Sequence, residues 1–261
     1  MTIYRLEDGI QQFYRKVIKR QIVLNISFQI NESKFSEEVY MVVIAIDGPS
    51  GAGKSSASRA IASHFHWKYL DTGALYRALT LCLIEREISE PAELANLLTA
   101  NSVRWHADPH APAVYLENRA VNEQIRSNVV TSRVSEVAAD PEVRAFLLSL
   151  QRSIINQSTP GIVVEGRDIG TTVWPDAELK IFLTADLQAR AERRNAELAA
   201  NLSDVEVSQS LAARDVIDTS RSASPLRQTD EQVVIDATHL SLEEVVAQIK
   251  RLIIELGLSN E

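Results

Sequence analysis

The stretch Asp47-Gly48-Pro49-Ser50-Gly51-Ala52-Gly53-Lys54-Ser55-Ser56 limits what this 261-residue chain can fold into more than any other. Gly48, Gly53, Lys54 and Ser55 satisfy the spacing G-x-x-x-x-G-K-[ST], with an apolar run, Val42–Ile46, leading in and a helix-like segment, Lys54–Phe65, leading out. A loop can surround a polyphosphate only if successive backbone N–H groups point inward, which takes small residues and positive φ. Gly48, Gly51, Ala52 and Gly53 supply that freedom. The helix starting near Lys54 aims its unbonded N–H groups and the positive end of its dipole at the same point. Lys54, expected at a solvent-accessible position, reaches the outer phosphates as a mobile point charge, and the hydroxyl of Ser55 or Ser56 faces Mg²⁺. Gly48 through Ser56 is therefore expected to cradle a nucleoside triphosphate. The competing reading, a glycine turn before an ordinary surface lysine, needs every fixed position and both flanks to match by chance.

From Met41 onward, short apolar runs alternate with longer periodic ones, the pattern of a doubly wound α/β fold with a parallel sheet and helices on both faces. Strands are expected at Val42–Ile46, Lys68–Leu70, Gly161–Glu165, Leu179–Leu183 and Val233–Ile235. Helices are expected at Lys54–Phe65, Gly73–Arg86, Glu142–Gln157, Leu187–Ala200 and Leu242–Leu256. Strands buried on both sides are apolar without alternation, and ligands gather at their carboxyl ends. Between about residues 92 and 130 the rhythm breaks: Val103–His106 and Ala113–Leu116 flank the turn-rich Asp108–Pro112, so a small β-containing insert with helical shoulders is expected inside one domain, 41–261. Residues 1–40 have no evident place in that domain. Ile3, Leu6, Ile10, Phe13 and Val17 recur at helical spacing, so the segment is either a docking helix or sequence ahead of a start at Met41.

A net charge of −8 argues against a nucleic-acid binder that works through a general basic surface. No apolar run is long enough to span a bilayer, and the N-terminus lacks the order of a secretion signal, so no membrane partner is expected. The single cysteine, Cys82, excludes an internal disulfide and a four-cysteine zinc site, and suits a cytoplasmic location. His64/His66 and His106/His110 pair without other soft ligands nearby and read as structural or surface residues.

From Lys54 onward the chain holds four lysines against seventeen arginines, and the arginines cluster after strands. Arginine offers a rigid, permanently charged fork that matches phosphate and carboxylate geometry. Asp71-Thr72-Gly73-Ala74-Leu75-Tyr76-Arg77 follows the second strand, with Thr72 expected to cap the helix carrying Arg77. Glu165-Gly166-Arg167-Asp168-Ile169-Gly170-Thr171 follows the third strand, and Arg214-Asp215-Val216-Ile217-Asp218-Thr219-Ser220-Arg221 lies late, in a polar helix and turn. Structural ion pairs are the plain alternative for each set, although an exposed pair contributes at most about 1 kcal/mol.

Together with Pro175-Asp-Ala177 and Ser224-Pro-Leu226, these motifs resemble, in order, those of the bacterial cytidylate kinases over about residues 41–256. The resemblance implies a nucleoside monophosphate kinase-like fold, with ATP as donor, CMP or dCMP as acceptor, Mg²⁺ as cofactor, and a monomer. It implies that the Gly48-Pro49-Ser50-Gly51-Ala52-Gly53-Lys54-Ser55-Ser56 loop binds ATP. Thr72, Arg77, Arg167 and Arg221 would grip the acceptor phosphate. Ser135, Arg144 and Asp168 would read the cytosine edge, and Arg214 and Asp218 would hold the ribose. Lys54, Arg167, Arg214 and Arg221 would carry the charge of the transfer. It further implies that the insert belongs to a mobile monophosphate-binding region, and that about 202–221 forms a helical lid. Many relatives close the loop with threonine where this chain has Ser56, which leaves Ser55 and Ser56 both open as metal ligands. A P-loop kinase for AMP, UMP or shikimate stays open as an alternative, as does a GTP-binding switch, though the chain lacks an Asn-Lys-x-Asp guanine-reading motif.

Overall fold

The computed structural model describes residues 41–99, 101–198, 204–221 and 223–259. The amphipathic pattern between Ile3 and Val17 lies outside them, as do residues 202 and 203 at the start of the expected lid.

Five strands form the central sheet: β1 (Val42–Asp47), β2 (Lys68–Asp71), β6 (Gly161–Gly166), β7 (Leu179–Thr184) and β8 (Val233–Asp236), in the order β2-β6-β1-β7-β8, all parallel. All five were expected, and each runs one residue further at its carboxyl end. Strand side chains alternate between faces, and here both faces are covered. Val43 and Ala45 of β1 enter one core with Ile162 and Val164, while Ile44 and Ile46 enter the other with Val163 and Ile181. The second core is roofed by α1 (Lys54–His64) and α8 (Leu242–Glu255), which contribute Ile61, Val245, Ile249 and Ile253. The first is roofed by α2 (Thr72–Glu85), α3 (Pro91–Ala95), α4 (Asn128–Ala139) and α5 (Pro141–Asn156). The helix starts follow from their caps. Asp140 Oδ1 accepts the N–H groups of Glu142 and Val143 with Pro141 in the first turn, and Ser241 and Glu244 form a reciprocal capping box on α8.

The insert is a three-stranded antiparallel sheet, β3 (Val103–His106), β4 (Ala113–Leu116) and β5 (Arg119–Ala120), followed by a 3₁₀ turn (Gln124–Arg126). It is tied to the edge of the main sheet at one residue. Tyr69 donates its N–H to the Ala107 carbonyl at 2.9 Å and accepts from Trp105 Nε1 at 2.6 Å. Past β7, α6 (Leu187–Leu198) and α7 (Asp204–Ser220) pair through a small cluster of Ala191, Val207 and Leu211 with Leu187 against it. Among the described residues no helix is long and apolar enough to cross a membrane.

Candidate active site

The glycine loop lies where expected, at the carboxyl end of the central strand. Gly48 has φ 149° and rests on the neighbouring strand, where a Cβ would stand 1.9 Å from the Leu183 carbonyl oxygen. Gly53, at φ 91°, is the left-handed N-cap of α1 and leaves the helix N–H groups without a side-chain cap. That leaves them open to an anion. Lys54 is not solvent-accessible as expected; only 6% of it is exposed, because Nζ folds back to donate to the Pro49 carbonyl at 2.7 Å. Burial pulls its pKa down, with Arg167 adding to the effect and Glu165, Asp218 and Asp47 opposing it.

Behind the lysine stand two buried carboxylates. Glu165, at the end of β6, accepts from the Tyr69 hydroxyl and shares a hydrogen bond with Ser55; burial and then Asp71 push its pKa up, while Lys54 pulls it down. Asp47 ends β1 and accepts the N–H groups of Ile169 at 2.7 Å and Gly170 at 2.9 Å. These belong to a π-helical turn, Ile169–Val173, that begins right after Asp168. Burial drives the Asp47 carboxyl up to about 6. Ser55 thus reaches Glu165, while Ser56 lines both the main cleft and an adjoining groove with Arg59, Ser63 and His110.

Across a cleft of about 780 Å³ lie the other predicted residues. Thr72 does not cap α2: Asp71 does, accepting the Ala74 N–H at 2.9 Å. Thr72 is the first helical residue instead, and its Oγ1 donates to the Glu165 carbonyl at 2.8 Å. The acid wins the cap position because its extended backbone there lets the carboxylate reach the third N–H of the helix. Arg77 donates to the Ile125 carbonyl at 3.1 Å and to Thr131 Oγ1 at 2.9 Å. Burial, then Arg214 and Arg194, depress it to about 9. Arg144 pairs with Asp168 and lies 5.6 Å over the Tyr76 ring, while Ser135 lines the same end of the cleft from α4.

Arg167 Nε meets Asp218 Oδ2 at 2.7 Å. Arg221 lies between two carboxylates, with Nη2 at 3.8 Å from Asp168 Oδ1 and Nη1 at 3.9 Å from Asp218 Oδ1. Burial alone would raise the Asp218 pKa, but Arg167, Arg221 and Arg214 outweigh it and hold the carboxyl below its ordinary range. Burial and then Arg167 lower Arg214 to about 10. Among the described residues, Arg214 Nε and Arg221 Nη2 are buried without a hydrogen-bond partner. Buried donors of that kind cost free energy until an acceptor arrives. All the predicted site residues except Gly48, Pro49 and Ala52 thus line one cleft, and those three shape the loop behind it.

Arg194 was not singled out by the sequence reading, although it lines the cleft and its charge acts on both Arg77 and Arg214. The available signal was the spacing of Arg190 and Arg194, which places both on one face of a helix. Tyr69 and Glu165 also went without a role. A tyrosine inside a strand reads as core until its hydroxyl partner is known.

A parallel sheet of this order, a lysine-bearing glycine loop at its centre, and arginines facing it define a P-loop α/β protein of the nucleoside monophosphate kinase type. The family model described as cytidylate kinase matches residues 44–255, and the chain belongs to that family. It is 46% identical over 215 residues to the cytidylate kinase of Streptomyces griseus, covering 81% of this chain and 92% of the relative. Identity to the cytidylate kinase of Streptomyces avermitilis is 44% over 227 residues, covering 86% and 97% of the two chains. With that of Carboxydothermus hydrogenoformans it is 43% over 215 residues, covering 80% and 96%.

Proposed function

We propose that the chain transfers the γ-phosphoryl group of ATP to CMP or dCMP, releasing ADP and CDP or dCDP. One observation carries the reading. The glycine loop with Lys54 faces, across a single cleft, a crowd of arginines that includes two buried, unbonded donors, on Arg214 and Arg221.

An acceptor phosphate and a triphosphate repel, so in-line approach requires positive charge placed beforehand. Thr72, Arg77, Arg167 and Arg221 grip the acceptor phosphate, and one of its oxygens attacks the γ-phosphorus as the bond to the bridging oxygen breaks and ADP leaves. Lys54 exchanges the Pro49 carbonyl for an outer phosphate, whose charge restores the affinity of its amine for the proton. Arg214 and Arg194 offset charge on the equatorial oxygens. Each charged hydrogen bond formed there contributes about 1.5 to 3 kcal/mol.

At the other end, Ser135, Arg144 and Asp168 read the base, and Asp168 presents a carboxylate to the exocyclic N4 amine of cytosine. Arg214 and Asp218 hold the ribose. A base without that amine leaves buried polar groups unpaired, the strongest form of discrimination available to such a site. The insert at about 92–130 and the segment at about 202–221 close over the two nucleotides and exclude water. Mg²⁺ fits the hard oxygen donors beside the loop: Ser55 would hold it, with Glu165 and Asp71 behind. Held there, the ion would supply positive charge to offset that of the phosphates. A cytoplasmic setting suits the lone buried Cys82. A monomer completes the reading.

The test is a panel of acceptors offered with MgATP. CMP and dCMP are expected to turn over well above AMP, UMP and shikimate. Turnover of AMP or shikimate without turnover of CMP would reject the reading.

A further inference from the structure

Arg190 stands in the first turn of α6 and is buried, yet neither it nor Asp215 lines the cleft. Its guanidinium is shared three ways. Nε donates to the Ala185 carbonyl at 3.0 Å, and Nη1 donates to the Ser50 carbonyl of the glycine loop at 3.1 Å. The same Nη1 lies 2.7 Å from Asp215 Oδ2 on α7. The loop presses on this point with its backbone as well: a Cβ on Gly51 would stand 3.0 Å from the Arg190 carbonyl oxygen. Asp215 sits between Arg214 and Asp218, two residues whose side chains line the cleft from α7.

We propose that Arg190 and Asp215 couple the two substrate sites, so that filling the glycine loop sets the position of Arg214 and Asp218 and each nucleotide tightens the binding of the other. The inference rests on the kinase reading above. Phosphates draw the loop N–H groups toward them, and the Ser50 carbonyl belongs to that loop. Arg190 cannot absorb the change by slackening, because Nε is fixed on the end of β7 through Ala185. A planar fork held at one nitrogen passes orientation to its other partners, as a lysine ammonium on a flexible stem would not. The contact with Asp215 is mostly buried and little screened by salt. Asp215 Oδ1 is buried without a hydrogen-bond partner among the described residues. Arg190 is thus a positioning residue, acting through the loop and α7 rather than on the reacting atoms.

Calorimetric titration of the full chain measures this coupling directly. CMP and a non-hydrolysable ATP analogue with Mg²⁺ are each titrated alone and with the other saturating. The parent is expected to show mutual tightening of at least about fivefold, equal in both directions as linkage requires. Asp215→Asn is expected to keep each separate Kd within about twofold while the tightening falls to about one. Asp215→Glu restores most of it, and Arg190→Lys loses it. Melting midpoints within about 3 °C of the parent exclude a general loss of fold. Tightening that is unchanged in Asp215→Asn, or equal to one in the parent, overturns the proposal. So does a result in which only Arg190→Lys weakens the ATP analogue and Asp215→Asn is neutral, which would make Arg190 a plain donor-site contact. CMP that fails to bind the parent at all brings down the kinase reading itself, before any variant is measured.

Discussion

Lys54 is a cation that the folded chain keeps almost out of water, on a carbonyl 2.7 Å away, with its pKa lowered by burial. Removing it relieves a desolvated charge and leaves one loop carbonyl to find water. Lys54→Met is therefore expected to cut kcat by at least about 10³ while stability moves by about 1 kcal/mol or less. Steady-state rates beside a urea unfolding curve check both halves. Asp168 is different, because its partner Arg144 is also buried. Asp168→Ala is expected to raise KM for CMP about tenfold or more, to leave KM for ATP within about twofold, and to cost about 3 kcal/mol of stability by stranding a buried guanidinium. Equal weakening toward both nucleotides would make Asp168 structural. Asp47 carries the clearest pH signature, since burial lifts its carboxyl from 3.8 to about 6. Between those values the folded protein holds a proton that the unfolded chain has released. Its contribution is fully present below 3.8 and is lost as pH rises through about 6. Between pH 5 and 7.5 the parent is expected to lose about 1 kcal/mol relative to Asp47→Asn, measured by unfolding both proteins at the two pH values.

The elements divide by what fixes them. The five strands and the loop were legible in the sequence because unbroken apolar runs at sheet-core length and a motif with fixed glycine positions leave few alternatives. The observed strand order was not legible, since runs such as Gly161–Gly166 and Leu179–Thr184 are equally apolar and carry no mark of which neighbours β1. Asn128–Ala139 blurred into the insert because an apolar Val129 faces solvent there and spoils its periodicity. The π-helical turn after Asp168 had no local signal at all; it exists because a carboxylate from another strand, Asp47, takes its first two N–H groups. For the site, residue types and their order were readable, whereas pairing was not. Nothing in the chain announces that Arg167 meets Asp218 or that Arg144 meets Asp168. Gly48 shows how tightly element meets element. A methyl there would enter the Leu183 carbonyl, so Gly48→Ala is expected to cost more than about 3 kcal/mol or to prevent folding, read from the yield and unfolding midpoint of the purified variant.

At the scale of the whole molecule, the crowding of arginines around one cleft has an energetic consequence. Mutual repulsion among Arg77, Arg194 and Arg214 opposes folding, and nucleotide phosphates relieve it. Saturation with CMP at about 100 times its Kd is expected to add about 2.7 kcal/mol, which for a chain of this size raises the melting midpoint by roughly 5 to 10 °C. Sodium chloride at matched ionic strength is expected to do much less, and scanning calorimetry compares the two. The tie between the insert and Tyr69 bears on a different property, colloidal behaviour. β2 is the outermost strand of the central sheet, and its outward N–H and C=O at Tyr69 are taken by Ala107 and Trp105. The insert thereby also covers part of a raw sheet edge of the sort that recruits other chains. A version shortened to the sheet and its helices, however well it kept the glycine loop, would expose that edge and come out of solution as aggregates instead of a minimal enzyme.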